Sequence, residues 1–189
     1  MTTPTIYVLG LGNVLMGDDG VGPAVVRAFE AEYIVPPDVE VVDLGTPGLD
    51  LSPWLADADC VVIVDTVRSD LPPGTLRLFK KADLLQHAPQ ARVSPHDPGL
   101  KESLLTLEFA GRAPLDVALV GIVPGPTEMG IELSERVRAA IPAAVQAVAG
   151  ALERFGVDVK GRPNPLVQQA WWMSEETSGR ASIVDKSRV

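Results

Sequence analysis

Four side chains of this 189-residue sequence could do chemistry together: Asp18 and Asp19 in a glycine-rich run, Asp65 ending an apolar run, and His96 between two prolines. The first run is VLGLGNVLMGDDGVG at residues 8–22, where Gly10-Leu11-Gly12 closes an apolar segment and the acids precede a helical pattern. A glycine turn between strand and helix invites a dinucleotide reading, since its backbone amides can approach a pyrophosphate at a helix N-terminus. The third glycine of that fingerprint falls on Leu15, however, and two carboxylates stand where phosphates would be repelled. The turn suits a cation better than an anion. Asp43, where a ribose-binding acid would lie, keeps a nucleotide-binding oxidoreductase as the alternative.

One of the paired acids has a structural use, because aspartate caps helix N-termini and suits the helix dipole. The other is then free to project into a crevice. A carboxylate at Asp65 costs free energy if buried unpaired, so it needs the crevice or a partner; capping the turn at Thr66 is its structural alternative. Of the two histidines, His87 falls at a helix end and reads as a surface residue. His96 lies in Val93-Ser94-Pro95-His96-Asp97-Pro98, a loop stiffened by prolines. Two carboxylates and one imidazole make an O,O,N set that suits Ni²⁺, Zn²⁺ or Fe²⁺ and leaves positions for substrate or water. No Ser–His or Cys–His pair has the spacing of a nucleophile and its base. The single cysteine, Cys60, opens the apolar run CVVIV and reads as an inert, buried thiol.

The elements that must position these groups follow an α/β pattern with a largely parallel sheet. Apolar, β-branched runs at 5–10, 39–44, 60–67 and 115–123 read as strands buried on both faces, and a fifth at 75–79 follows Pro72-Pro73-Gly74. Helical spacing covers about 20–33, 99–111 and 134–155. In the last of these Ser134 is placed to cap the start and Gly156 the end, while Pro142 should kink or split it. In doubly wound sheets ligands bind beyond the carboxyl ends of the strands, and the first and third strands would each deliver an acid there.

The net charge of −9 is uneven: residues 1–159 hold 11 Lys/Arg against 22 Asp/Glu, and residues 160–189 hold 5 against 3. An acidic body repels phosphate backbones and argues against nucleic acid as a partner. No run has the roughly 18 apolar residues of a membrane span, and no basic leader precedes the first apolar stretch. With one cysteine, the chain reads as cytoplasmic. The tail from about Lys160 has weak periodicity except for QQAWWM at 168–173, where Trp171 and Trp172 fit either a helix docked on the body or a contact for another protein.

Taken in order, G-x-G-N-x-L-x-x-D-D-G-x-G, D-x-G-T-x-G at Asp43–Gly48, the strand-end Asp65, S-P-H and VGIVP at 120–124 resemble the hydrogenase maturation endopeptidases over roughly residues 5–157. That resemblance implies a twisted, mainly parallel five-stranded sheet between helices in a three-layer α/β fold. It implies a peptidase domain at 1–158 and leaves 159–189 as a C-terminal extension. The implied activity is removal of a C-terminal extension from a [NiFe] hydrogenase large-subunit precursor once nickel has been inserted. The nickel is carried by the precursor, and no nucleotide is expected. The family's metal-facing residues match Asp19, Asp65 and His96, which leaves Asp18 as the cap, and the loop at Asp43, Gly45 and Thr46 is implied to approach the substrate. Leu44 departs from the Gly or Cys of many members. A non-catalytic chaperone of the nickel site would need the same ligands.

Overall fold

The computed structural model describes residues 6–46, 51–87 and 100–166. The core is a five-stranded sheet of β1 (Ile6–Leu11), β3 (Val39–Gly45), β4 (Cys60–Thr66), β5 (Leu76–Lys80) and β6 (Asp116–Ile122), in the order β3-β1-β4-β6-β5. All neighbours run parallel except β5, which is antiparallel to β6. The short link from β4 explains the exception. A parallel return needs a crossover of about a dozen residues or more, so a chain leaving β4 at the carboxyl edge starts β5 at that same edge and runs back.

Every buried strand feeds two cores. Ile6, Val8, Val62 and Val64 face α1 (Val21–Glu32) and α5 (Glu135–Arg154), whereas Leu9, Leu11, Val61 and Ile63 face α2 (Ser52–Leu55) and α4 (Leu100–Ala110). The period-2 alternation of strand side chains thus makes three layers, as expected from near-continuous apolar runs. A short helix α3 (Lys81–His87) follows β5. A two-stranded ribbon joins β2 (Tyr33–Ile34) to β7 (Lys160–Gly161). Beyond it Arg162 and Leu166 donate backbone N–H groups to Glu32 and Ala31, so the start of the extension is fastened to the end of α1. None of the helices among the described residues is long and apolar enough to cross a membrane. Trp171 and Trp172 lie outside the described residues.

The glycines of the first motif set how closely α1 sits on the sheet. A Cβ at Gly22 would meet the Leu11 carbonyl oxygen at 2.0 Å and that of Val64 at 2.6 Å. Gly12 holds φ +133°, and a Cβ there would lie 1.8 Å from the Asp19 carbonyl oxygen. Only glycine lets the loop fold back on β1 and α1 press on β1 and β4.

Helix α5 runs unbroken through Pro142. That residue sits on the exposed side, so the Arg138 carbonyl deprived of its N–H partner also faces the water side. Its C-terminus closes as expected: Gly156 (φ +83°) donates to Glu153 O and Val157 to Leu152 O, a Schellman pair. Its N-terminus brings a correction. Ser134 holds the N-cap position but makes no capping bond of its own, because its hydroxyl donates to Asp18 Oδ2 at 2.8 Å.

Asp18 therefore does not cap α1. A 3₁₀ turn at Gly17–Gly20 moves the helix start on, and Gly20 takes the N-cap position without a side-chain bond. The Asp18 side chain, fully buried, reaches the segment between β6 and α5. It accepts the Ser134 N–H at 2.6 Å and the Gly125 N–H at 2.7 Å, besides the Ser134 hydroxyl. Three donors meet a carboxylate withdrawn from water, so its loss takes the acceptor from two part-buried amides. Asp18→Ala is expected to cost about 3 kcal/mol in urea unfolding, with faster amide exchange at Gly125 and Ser134; wild-type stability would refute the clamp.

Candidate active site

Strand β1 pairs with β3 on one side and β4 on the other, while the chain passes from β1 through α1 to β3 and then crosses to β4. The connections after β1 and β4 thus run in opposite directions along the sheet, to β3 on one side and toward β5 on the other, and a crevice opens between their carboxyl ends. Asp19 stands on the loop after β1, and Asp65 and Thr66 end β4.

One residue joins the two acids. The Thr66 hydroxyl donates to Asp19 Oδ1 at 3.3 Å, and the Thr66 N–H donates to Asp65 Oδ1 at 2.8 Å. Alternation along β4 explains the arrangement. Asp65 follows Val61 and Ile63 toward the α2/α4 side, and Thr66 follows Val62 and Val64 toward the α1 side, where Asp19 lies. Asp65 and Thr66 are both buried, and Asp19 is half-buried. The second Asp19 oxygen accepts the Asn13 N–H at 2.8 Å. A carboxylate has about four lone-pair sites, so these two bonds fix Asp19 and leave it acceptor capacity toward the crevice. Sequence reading missed Thr66 as a site residue; its signal was a hydroxyl directly after a strand-end acid.

The remaining predicted residues separate. Asp43 faces α1 and forms an ion pair with Arg27 Nη2 at 3.1 Å, so β3 is braced to the helix through it. Gly45, at φ +58°, accepts the Gly12 N–H at 2.8 Å, which places the end of β3 beside the glycine loop; Thr46 is exposed next to it. A register shift after Gly10 pairs Leu11 with Gly45 and leaves Leu44 out of the ladder. His96 falls in 88–99, outside the described residues. Among the described residues no three His, Cys, Asp or Glu side chains gather closely enough to hold a metal ion. Cys60 lies at the opposite edge of the sheet, five residues or about 17 Å along β4 from Asp65. Burial pushes its thiol up from the ordinary value, which disfavours the nucleophilic thiolate there.

What the arrangement offers chemically is a pair of oriented carboxylates at a sheet switch point, with room beside them. The loops after β4 and β6 border an open hollow of about 540 Å³ lined by Arg68, Ser69, Asp70, Val123 and Pro124, just beyond the acids rather than lined by them. The pair presents acceptors to a cation or an activated water, and no nucleophile–base couple stands beside it among the described residues.

Known proteins share this framework. The family model described as hydrogenase maturation protease matches residues 23–151. Hydrogenase 2 maturation protease of Escherichia coli (strain K12) is 36% identical over 154 residues, 81% of this chain and 93% of that protein. A hydrogenase expression/formation protein, HupD of Rhodobacter capsulatus, is 30% identical over 188 residues, 97% of this chain and 90% of that one, so its similarity reaches into the extension. Among solved structures, the hydrogenase maturating endopeptidase HybD from E. coli superposes with a TM-score of 0.74 at 36% identity, covering 84% of this chain and 98% of that one. The chain belongs to the hydrogenase maturation protease family and is a peptidase hydrolase.

Proposed function

We propose that this peptidase removes the C-terminal extension of a [NiFe] hydrogenase large-subunit precursor after nickel insertion, reading the precursor's nickel through Asp19, Asp65 and His96. The observation that carries the reading is the bridge at Thr66, which orients Asp19 and Asp65 together at the switch point. The matched relatives are named hydrogenase maturation protease and maturating endopeptidase, which supports a hydrogenase polypeptide as the substrate.

His96 enters through the S-P-H motif that the chain shares with the family, in the sequence just before α4. Helix α4 leads through a short turn to β6, whose first residue pairs with Cys60 at the amino edge of the sheet. An 11-residue helix spans about 16 Å, so Leu100 starts α4 at the carboxyl edge, on the side to which Asp65 belongs. The nickel arrives as part of the substrate. Held by the O,O,N set, it places the scissile carbonyl or a water beside a Lewis acid, and water attacks without a covalent intermediate. Gly45 and Thr46 form the β3 rim that meets the precursor, and Asp43 supports that rim by holding Arg27.

Intact-mass spectrometry of the precursor, loaded with nickel or free of it, tests the reading. The wild type should shorten only the loaded form. Asp19→Asn and His96→Ala should lower the rate by about 100-fold or more, beyond what outer-shell changes cost, with circular dichroism and melting retained. Normal shortening by both variants would sink the ligand assignment, and binding without shortening would favour a chaperone.

Thr66 acts as a positioning residue. Thr66→Val keeps the volume and removes the hydroxyl bond to Asp19, so processing should fall by about tenfold. Thr66→Ser restores the donor and should recover most of the rate. Equal loss in both variants would show packing, rather than carboxylate orientation, to be the role of Thr66.

A further inference from the structure

The loop carrying Asp19 also carries an exposed apolar lip. Leu15 is 55% exposed, Met129 91% and Ile131 44%, and the backbone brings them together. Gly130 donates to Leu15 O at 2.9 Å, Gly17 donates to Gly130 O at 2.7 Å, and Asp18 donates to Pro126 O at 3.1 Å. Single exposed apolar side chains are common on protein surfaces and need no explanation. Three on one hydrogen-bonded lip differ, because their backbone is already fixed and little ordering cost remains on binding. Val14 and Ile131 continue the apolar strip into a groove of about 340 Å³ between α1 and α5, walled by Ala24, Ala28, Leu133 and Ile141.

The geometry points to this lip as the docking surface for the hydrogenase precursor, an inference that rests on the function proposed above. Two hydrogen bonds separate lip from site: Leu15 N–H donates to Asn13 Oδ1 at 3.0 Å, and Asn13 N–H donates to Asp19 Oδ2 at 2.8 Å. A protein that delivers a peptide bond to Asp19 from this side passes over Leu15. Exposed Glu128 and Glu132 flank Met129 and Ile131, so the matching surface is apolar with Lys or Arg at its margin. A second copy of this chain, at net charge −9, would bring like charge to that margin.

Steady-state processing of nickel-loaded precursor by the double variant Leu15→Ser/Met129→Ser tests the surface, with Phe109→Ser as control because Phe109, 98% exposed, lies on α4 in the opposite layer. The double variant should raise KM about tenfold, equivalent to about 1.4 kcal/mol, at an unchanged melting temperature, and the control should keep the wild-type KM. Glu128→Lys should also raise KM. A wild-type KM in the double variant overturns the inference, as does a changed sedimentation mass without a change in KM, which would make the lip a contact between copies. If the wild type leaves the precursor uncut, the proposed activity fails; calorimetric binding of uncut precursor then decides the lip, with tenfold weaker binding by the double variant supporting it and equal binding overturning it.

Discussion

A carboxylate taken fully out of water organises the carboxyl edge of this sheet. Asp18 is the second residue of a tight 3₁₀ turn, and its charge is met by two backbone amides and one hydroxyl from the segment leading into α5. The desolvation cost of such a group is several kcal/mol without partners, so the loop after β1 and the segment 125–134 are stable only in mutual contact. The parallel bridge between Met16 and Gly130 is the backbone expression of the same constraint. With Asp18 anchored inward, its neighbour Asp19 is turned toward the crevice, because consecutive residues of a tight turn present different directions. Two adjacent acids of the same type thereby have separate duties: one holds the loops together, and the other, half-buried, bonds Asn13 and Thr66 at the crevice.

This division also accounts for the glycines. Gly12 allows the loop to pass under the Asp19 carbonyl, and Gly22 allows α1 to rest on the carbonyls of Leu11 and Val64. Glycines that in a dinucleotide site would admit a pyrophosphate here admit the protein's own backbone. The loop is filled by its own hydrogen bonds, from Asn13 to Asp19 and from Leu15 to Asn13, in the volume a phosphate would need. Asp43 completes the contrast, being engaged by Arg27 from the helix.

Most of the fold was legible because period-2 and period-3.6 patterns record burial directly. Each long apolar run became a strand of the sheet, and the helices at 20–33, 99–111 and 134–155 lie within a residue or two of their observed ends. The reading weakened wherever a side chain's partner is distant in sequence. Asp18 bonds residues more than a hundred positions away, so local capping rules assigned it the nearest helix instead of the one it serves. Ser134 was placed correctly at the start of α5, yet its hydroxyl faces Asp18 for the same reason. The antiparallel direction of β5 depended on where the chain stood on leaving β4, which no local pattern encodes. Pro142 was expected to kink or split α5, which nevertheless continues through it, because propensity does not say which face of a helix meets water.

The two acids of the candidate site stood out in the sequence, and the residue that aligns them did not. Asp65 stood out because a charge ending an apolar strand needs a reason, and Asp19 because one of two acids was surplus to a cap. Thr66 carries only a hydroxyl directly after that acid as its signal, and a buried threonine in a strand is ordinary by composition. Its importance arises from the sheet: strand alternation gives adjacent residues opposite faces, and a residue at the strand end can offer its amide toward one face and its hydroxyl toward the other. Thr66 does this between Asp65 and Asp19. A site assembled at a switch point therefore draws its precision from the strand that crosses it, and the acids can be oriented by a single neutral residue. That economy sets the direction of both acids from the strand end itself, through one amide and one hydroxyl of the same residue.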